Sequence, residues 1–321
     1  MNWQKLPNLP DREGFAGSFA GTSHGALLVA GGANFPEKRP WEGGTKVWTD
    51  SVFGLERPGG TWRTLGRLPG PRGYGVSVSF EDSLLCVGGS DSTRHYPDTF
   101  ALEWRDGKLA IHTLPPLPIP LANACGTRVD DQLFVVGGQE APGSTSASNR
   151  AFCLTLSRSA AGWSELPPLP GPGRILATAA AHEGSLWVFG GAELFAKDDG
   201  TVLRRYLRDA YQYAPKTGWR RLADLPAPAV AAPTPAPTSA MGIYLLGGDD
   251  GQRAGLPQQT HPGFSKTLLR YEPATDQWRR VGELRVARVT VPVVHWEDRW
   301  VIAGGEARPG VRSPEVWAVR P

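Results

Sequence analysis

Cysteine is scarce in this sequence and carries none of the spacings that make a framework. Cys86, Cys125 and Cys153 each lie in or beside an apolar run, and no CxxC or Cys/His pairing occurs. That excludes a disulfide scaffold and a finger-type zinc site, and it favours buried free thiols in a reducing compartment. Long apolar runs are also missing. No stretch approaches the roughly eighteen apolar residues that a membrane-spanning helix needs. The opening residues Met1–Pro7 have neither a positive start nor an apolar stretch behind it, so the expectation is a cytoplasmic protein without a membrane partner. Charge of one sign is not concentrated anywhere: 34 basic and 31 acidic residues give a net +3 and form no basic run, so no nucleic-acid partner is expected. GxxxxGK[ST] and GxSxG are both absent, and the six histidines show no ligand-like spacing, so neither a cofactor nor a metal is expected.

What is abundant is glycine (40), proline (30) and tryptophan (12). Glycine and proline alternate with short apolar runs and so punctuate turns rather than mark disorder. Six times an apolar run ends in a Gly-Gly doublet: Gly31-Gly32, Gly88-Gly89, Gly137-Gly138, Gly190-Gly191, Gly247-Gly248 and Gly304-Gly305. The intervals are 57, 49, 53, 57 and 57 residues, near the kelch-repeat period of about 50. The runs are too short and too rich in Val, Ile and aromatics for helices.

Each run is preceded by a small-residue segment and followed by a third strand, expected at Ser51–Leu55, 98–103, 150–156, 208–214, 267–272 and 315–319. A fourth strand opens on a tryptophan at Trp62, Trp163, Trp219 and Trp278; in the second repeat it is degenerate, with Trp104 at the end of the third strand instead. Four strands per repeat and six repeats predict an all-β, six-bladed kelch-type β-propeller spanning residues 1–321 as one domain. The last repeat lacks a fourth strand, while Trp3-Gln4-Lys5-Leu6 matches Trp62-Arg63-Thr64-Leu65. The N-terminal segment is therefore expected to complete blade six and close the ring.

Ligands of propellers bind at a channel mouth lined by loops, and three loops are long here: residues 33–49, 192–207 and 249–266. The residues after the doublets, Ala33, Ser90, Gln139, Ala192, Asp249 and Glu306, should occupy one repeated position near the axis. Arg72, Arg174 and Arg288 recur at the starts of inner strands. A ring of guanidinium groups would bind an anion; alternatively, each would cap neighbouring backbone carbonyls or make salt bridges between blades.

Gly305-Glu306-Ala307-Arg308-Pro309-Gly310-Val311-Arg312 resembles the G-E-A-K-P-G-L-R motif of the N-acetylneuraminate epimerase (sialate mutarotase) family. Arg72-Gly73-Tyr74-Gly75-Val76-Ser77 is similar to that family's R-A-Y-G-V-S run. The order of the two motifs is reversed relative to the best-known bacterial members, as in a cyclically permuted branch, and those periplasmic members carry a signal peptide that is not seen here. The resemblance implies an isomerase that interconverts the α and β anomers of N-acetylneuraminate or a related acidic sugar without a cofactor. It implies Glu306 as general base and acid with Arg312 as its partner. Arg72, Arg174 and Arg288 would add anion recognition, and Asn34, Lys46 and Asp50 would reach in from the first long loop. Two alternatives stay open: an interaction module presenting Phe35, Trp41 and Phe264 to a protein, or a carbohydrate-active enzyme of another reaction type.

Overall fold

A computed structural model describes residues 2–320. Six four-stranded antiparallel sheets follow one another along the chain. In blade 1 the order from the axis outward is Phe19–Ser23, Ala26–Ala30, Ser51–Leu55 and Arg63–Arg67. Blade 2 runs Val76–Phe80, Ser83–Val87, Thr99–Arg105 and Lys108–Leu114. Its outer strand, degenerate in sequence, is a full seven-residue strand that simply lacks the tryptophan, and Trp104 lies in the third strand. Blade 6 ends in Val316–Arg320, and Asn2–Leu6 pairs along its whole length, from Asn2 opposite Arg320 to Leu6 opposite Val316. Trp62 Nε1 of blade 1 then donates to the carbonyl of Pro7 at 2.8 Å, latching the terminal strand to the next blade. Trp163, Trp219 and Trp278 make the equivalent bond to the carbonyls of Pro115, Pro167 and Ala223, which is why the repeats open their outer strands with tryptophan.

The apolar runs do not meet in one central core. Along a strand, side chains alternate between faces, and here the two faces belong to two different neighbours. Leu27 and Val29 pack toward blade 6 with Val294, Val301 and Trp296. Leu28 and Ala30 pack toward blade 2 with Leu84, Cys86 and Phe100. The same split repeats around the ring, so that six clusters fill the six interfaces. A strand buried on both faces reads as a continuous apolar run, which is what the doublets terminate.

Both glycines of every doublet have positive φ, between 56° and 106°. At Gly31 a Cβ would also stand 2.2 Å from the Arg72 carbonyl oxygen of the next blade. Just beyond each doublet the chain forms a single bridge to the segment entering the inner strand. These bridges pair Ala16 with Ala33, Gly73 with Ser90, Ala122 with Gln139, Ile175 with Ala192, Val230 with Asp249, and Val289 with Glu306. The six post-doublet residues are thus equivalent, as the repeat alignment requires.

One residue past each bridge, the blades join in a ring of backbone hydrogen bonds. Gly17 N–H donates to the Thr290 carbonyl, Tyr74 to Gly17, Asn123 to Tyr74, Leu176 to Asn123, Ala231 to Leu176 and Thr290 to Ala231, all at 2.7–2.8 Å. All six residues are left-handed, with φ from 54° to 69°. Five are not glycine, and Thr290 is β-branched, so the geometry is costly and is held by the ring as a whole. The six ring residues line a small cavity of about 60 Å³ within the channel.

The three cysteines are buried and unpaired with one another, and burial raises each thiol, Cys153 to about 11 and Cys125 to about 12. Among the described residues no helix is long and apolar enough to cross a membrane.

Candidate active site

Blade 6 carries a two-strand hairpin, Glu306–Arg308 against Val311–Arg312, immediately after its doublet. The turn at Pro309-Gly310 places Glu306 directly opposite Arg312. Opposite charges in directly facing positions attract across the pair. Arg312 Nη1 donates to Glu306 Oε1 at 2.8 Å, and the Gly310 N–H donates to the same oxygen at 2.7 Å. Oε2 has no hydrogen-bond partner among the described residues. The side chains are 7% and 18% exposed, so the pair is screened from water but reachable on the glutamate side. Gly310 has φ 78°, and a Cβ there would lie 2.9 Å from Pro40 and 3.2 Å from Trp41. The first long loop therefore sits directly on the turn.

That loop supplies the rest of the cluster. Phe35 lies under the Arg312 guanidinium at 4.8 Å. Ala33 and Asn34 pair with Trp48 and Val47, which brings Lys46 back over the site. The Lys46 ammonium stands 4.3 Å from the Trp48 ring centroid and 4.6 Å from that of Tyr74, and it makes no ion pair among the described residues. Burial, and secondarily the Arg312 charge, lower its pKa from 10.5 to about 8, although Glu306 pulls the other way. Tyr74, a member of the hydrogen-bonded ring, has its hydroxyl 3.5 Å from Arg312 Nη2. Burial raises the Tyr74 pKa, with Glu306 adding to the effect and Arg312 opposing it. Its aromatic ring lies over Gly17, where a Cβ would come within 2.7 Å of it. Neither Arg312 Nε nor Trp48 Nε1 has a hydrogen-bond partner among the described residues, although both are buried. The cluster holds one carboxylate, two cations and several unused donors.

Three expected residues meet here: Glu306, Arg312 and Lys46. Asn34 is adjacent in the fold, but its amide nitrogen is given to Asp11 Oδ1 at 3.1 Å, bracing the segment that enters blade 1. Asp50 belongs elsewhere, accepting from Arg67 on the outer strand at 2.9 Å.

Each of the three arginines pairs within its own blade rather than between blades, and Arg72 Nε and Nη1 and Arg288 Nε are buried without a hydrogen-bond partner among the described residues. Arg174 is fully buried and bidentate to Asp209 at 3.0 and 2.7 Å, with a further bond to the Gly190 carbonyl. Arg288 bonds Glu315 at 2.6 Å and Ser313 at 3.0 Å. Arg72 lies flat on Tyr96 at 3.8 Å with Asp98 at 3.6 Å. Asp98, Asp209 and Glu315 all stand one residue before a third strand, so the arrangement is a repeated brace.

The aromatics considered for an exposed patch are likewise engaged. Phe35 faces Arg312, Trp41 meets Gly310 and lies 5.7 Å from the Arg308 guanidinium, and Phe264 is 9% exposed in an apolar cluster. Tyr74 and Trp48 were not among the expected residues. The similarity at residues 72–77 contained Tyr74, and only the blade-to-blade ring shows why it points at Arg312.

A family model described as N-acetylneuraminate epimerase matches residues 1–111 and 114–253 of this chain. The match includes Lys46 and Tyr74 and ends before Glu306. The N-acetylneuraminate epimerase of Salmonella enteritidis PT4 is 39% identical over 127 residues, which is 35% of this chain and 33% of that protein. That of Yersinia pestis strain Pestoides F is 36% identical over 129 residues, again 35% of this chain and 32% of its relative. The matched stretch thus spans about a third of the length of these relatives. The solved structure of YjhT superimposes with a TM-score of 0.71 over 98% of this chain and 97% of that one, at 15% identity, a likeness of fold.

Proposed function

Because the chain belongs to the N-acetylneuraminate epimerase family, we propose that it interconverts the α and β anomers of N-acetylneuraminate or a closely related acidic sugar. The observation that carries this reading is the half-screened Glu306–Arg312 pair with an unpaired Lys46 beside it. Two cations against one carboxylate leave a surplus positive charge, which a sugar carboxylate neutralises. A neutral sugar would leave it standing in a poorly solvated place.

Mutarotation requires the anomeric hydroxyl to lose its proton while the ring oxygen gains one, so that the ring C–O bond opens. The keto form then rotates and recloses by the reverse steps. Glu306 serves as the shuttle: its free Oε2 takes the anomeric proton and delivers it to the ring oxygen. Oε1 stays bonded to Arg312 and the Gly310 N–H, so the carboxylate is already oriented before substrate arrives. Arg312 and Lys46 hold the carboxylate and any charge that develops on the ring oxygen. No step needs a metal or a nucleotide. The buried free thiols support a reducing compartment, the cytoplasm, as its location.

The test is proton NMR of freshly released α-N-acetylneuraminate with and without the protein. Faster relaxation toward the β anomer, abolished when the sugar is supplied as its methyl ester, supports the reading. Relaxation at the buffer rate defeats it.

A further inference from the structure

The channel has a second mouth at the opposite end of the inner strands. There it opens into a cavity of about 430 Å³, within the range of small-molecule sites. The hydrogen-bonded ring and a small cavity of about 60 Å³ that it lines lie between this cavity and the Glu306 face.

The lining of this lower cavity is rich in donors and contains no carboxylate. Ser77 and Ser79, two residues apart on the inner strand of blade 2, face the same way. Their hydroxyls accept the N–H groups of Ala20 and Thr22 at 3.0 and 2.9 Å. Each therefore has its own hydrogen left to give. Thr127 and Thr238 add hydroxyls from blades 3 and 5. Arg128 spends one donor on the Asp130 carbonyl and keeps the others. His295, from blade 6, has no partner among the described residues. The remainder is Ala, Pro, Val and one Trp, an apolar wall around the polar groups.

We infer that the lower mouth is a second binding site, separate from the Glu306 face, for a small hydroxylated carboxylate. Arg128 takes the carboxylate through its free guanidinium donors. The serine and threonine hydroxyls take the ligand's own hydroxyl groups, since each hydroxyl can donate as well as accept. This assignment stands independently of the reaction proposed for the upper face.

The probe is D-glucuronate, titrated into the intact protein while the ring signals of His295 are followed by NMR and assigned with His295→Gln. Saturable shifts with glucuronate, none with glucose, and affinity about tenfold weaker in Arg128→Gln are expected. Arg128 is exposed, so this variant keeps its fold, and its rate of anomer relaxation should equal that of the wild type. The proposal is overturned by three outcomes: no saturable shift, the same affinity in Arg128→Gln, or saturation by inorganic phosphate but not by glucuronate.

Discussion

Lys46 offers a quantitative test because one pH window isolates it. Its pKa is lowered to about 8 by burial and by Arg312. The other perturbed groups lie outside the window: Tyr206 is pushed to about 12, Cys153 to about 11, and the Tyr74 hydroxyl upward. A sugar carboxylate stays ionised throughout. Lys46 is then about 90% charged at pH 7 and about 10% charged at pH 9. If the charged form binds the carboxylate, the affinity for N-acetylneuraminate falls about tenfold from pH 7 to pH 9. Removing the charge altogether, with Lys46→Met, deletes a charge-assisted contact worth about 1.5–3 kcal/mol, or about ten- to a hundredfold in Kd. The variant should also lose the pH slope. The free protein responds in the opposite sense. A lysine whose folded pKa lies below its usual 10.5 disfavours folding while protonated, so the free protein gains stability as the pH rises from about 8 toward 10.5. Calorimetric titration at pH 7, 8 and 9 on both proteins is the assay. A flat wild-type profile, or a slope that survives in Lys46→Met, would refute the reasoning.

Other perturbations test the scaffold around the site. Trp62→Phe removes the bond to the Pro7 carbonyl and should cost about 1 kcal/mol in urea unfolding, without changing the anomer relaxation rate. Arg174→Gln leaves Asp209 buried and unpaired, so stability should drop by about 3–5 kcal/mol while the rate per folded molecule holds. A specific loss of substrate affinity would instead return Arg174 to the site. Gly17→Ala puts a Cβ where φ is 69° and the Tyr74 ring is 2.7 Å away. It should destabilise by about 1–3 kcal/mol and slow the reaction by displacing Tyr74 from Arg312, both measurable on one sample.

The architecture was legible because its signals are forced by backbone geometry. A doublet held at positive φ against a neighbouring carbonyl admits little but glycine, so Gly31-Gly32 and its five counterparts recur whatever else the sequence does. The tryptophans recur because one indole N–H reaches one carbonyl of the preceding blade. The hydrogen-bonded ring left no such trace. Its members are Gly17, Tyr74, Asn123, Leu176, Ala231 and Thr290, and bonds between main-chain groups impose no common side chain.

The candidate site was partly legible for a related reason. Glu306 and Arg312 were reached through the resemblance of residues 305–312, which one short motif can carry because the two stand six residues apart on one hairpin. The arginine braces are not local: Arg174 and Asp209 are 35 residues apart, and a recurrent arginine alone does not reveal which carboxylate it meets. Asp50 misled because the long loop ends just before it, and there the chain has already turned outward to Arg67.

The central claim is that Glu306 moves the proton. Glu306→Gln keeps the shape of the side chain and an oxygen for Arg312 and the Gly310 N–H, while removing the base. Anomer relaxation of N-acetylneuraminate should be followed by NMR with this variant, alongside circular dichroism to establish that it is folded. The account predicts a folded protein whose rate enhancement falls by about a hundredfold or more. A folded Glu306→Gln that relaxes the sugar within a fewfold of the wild-type rate would contradict it.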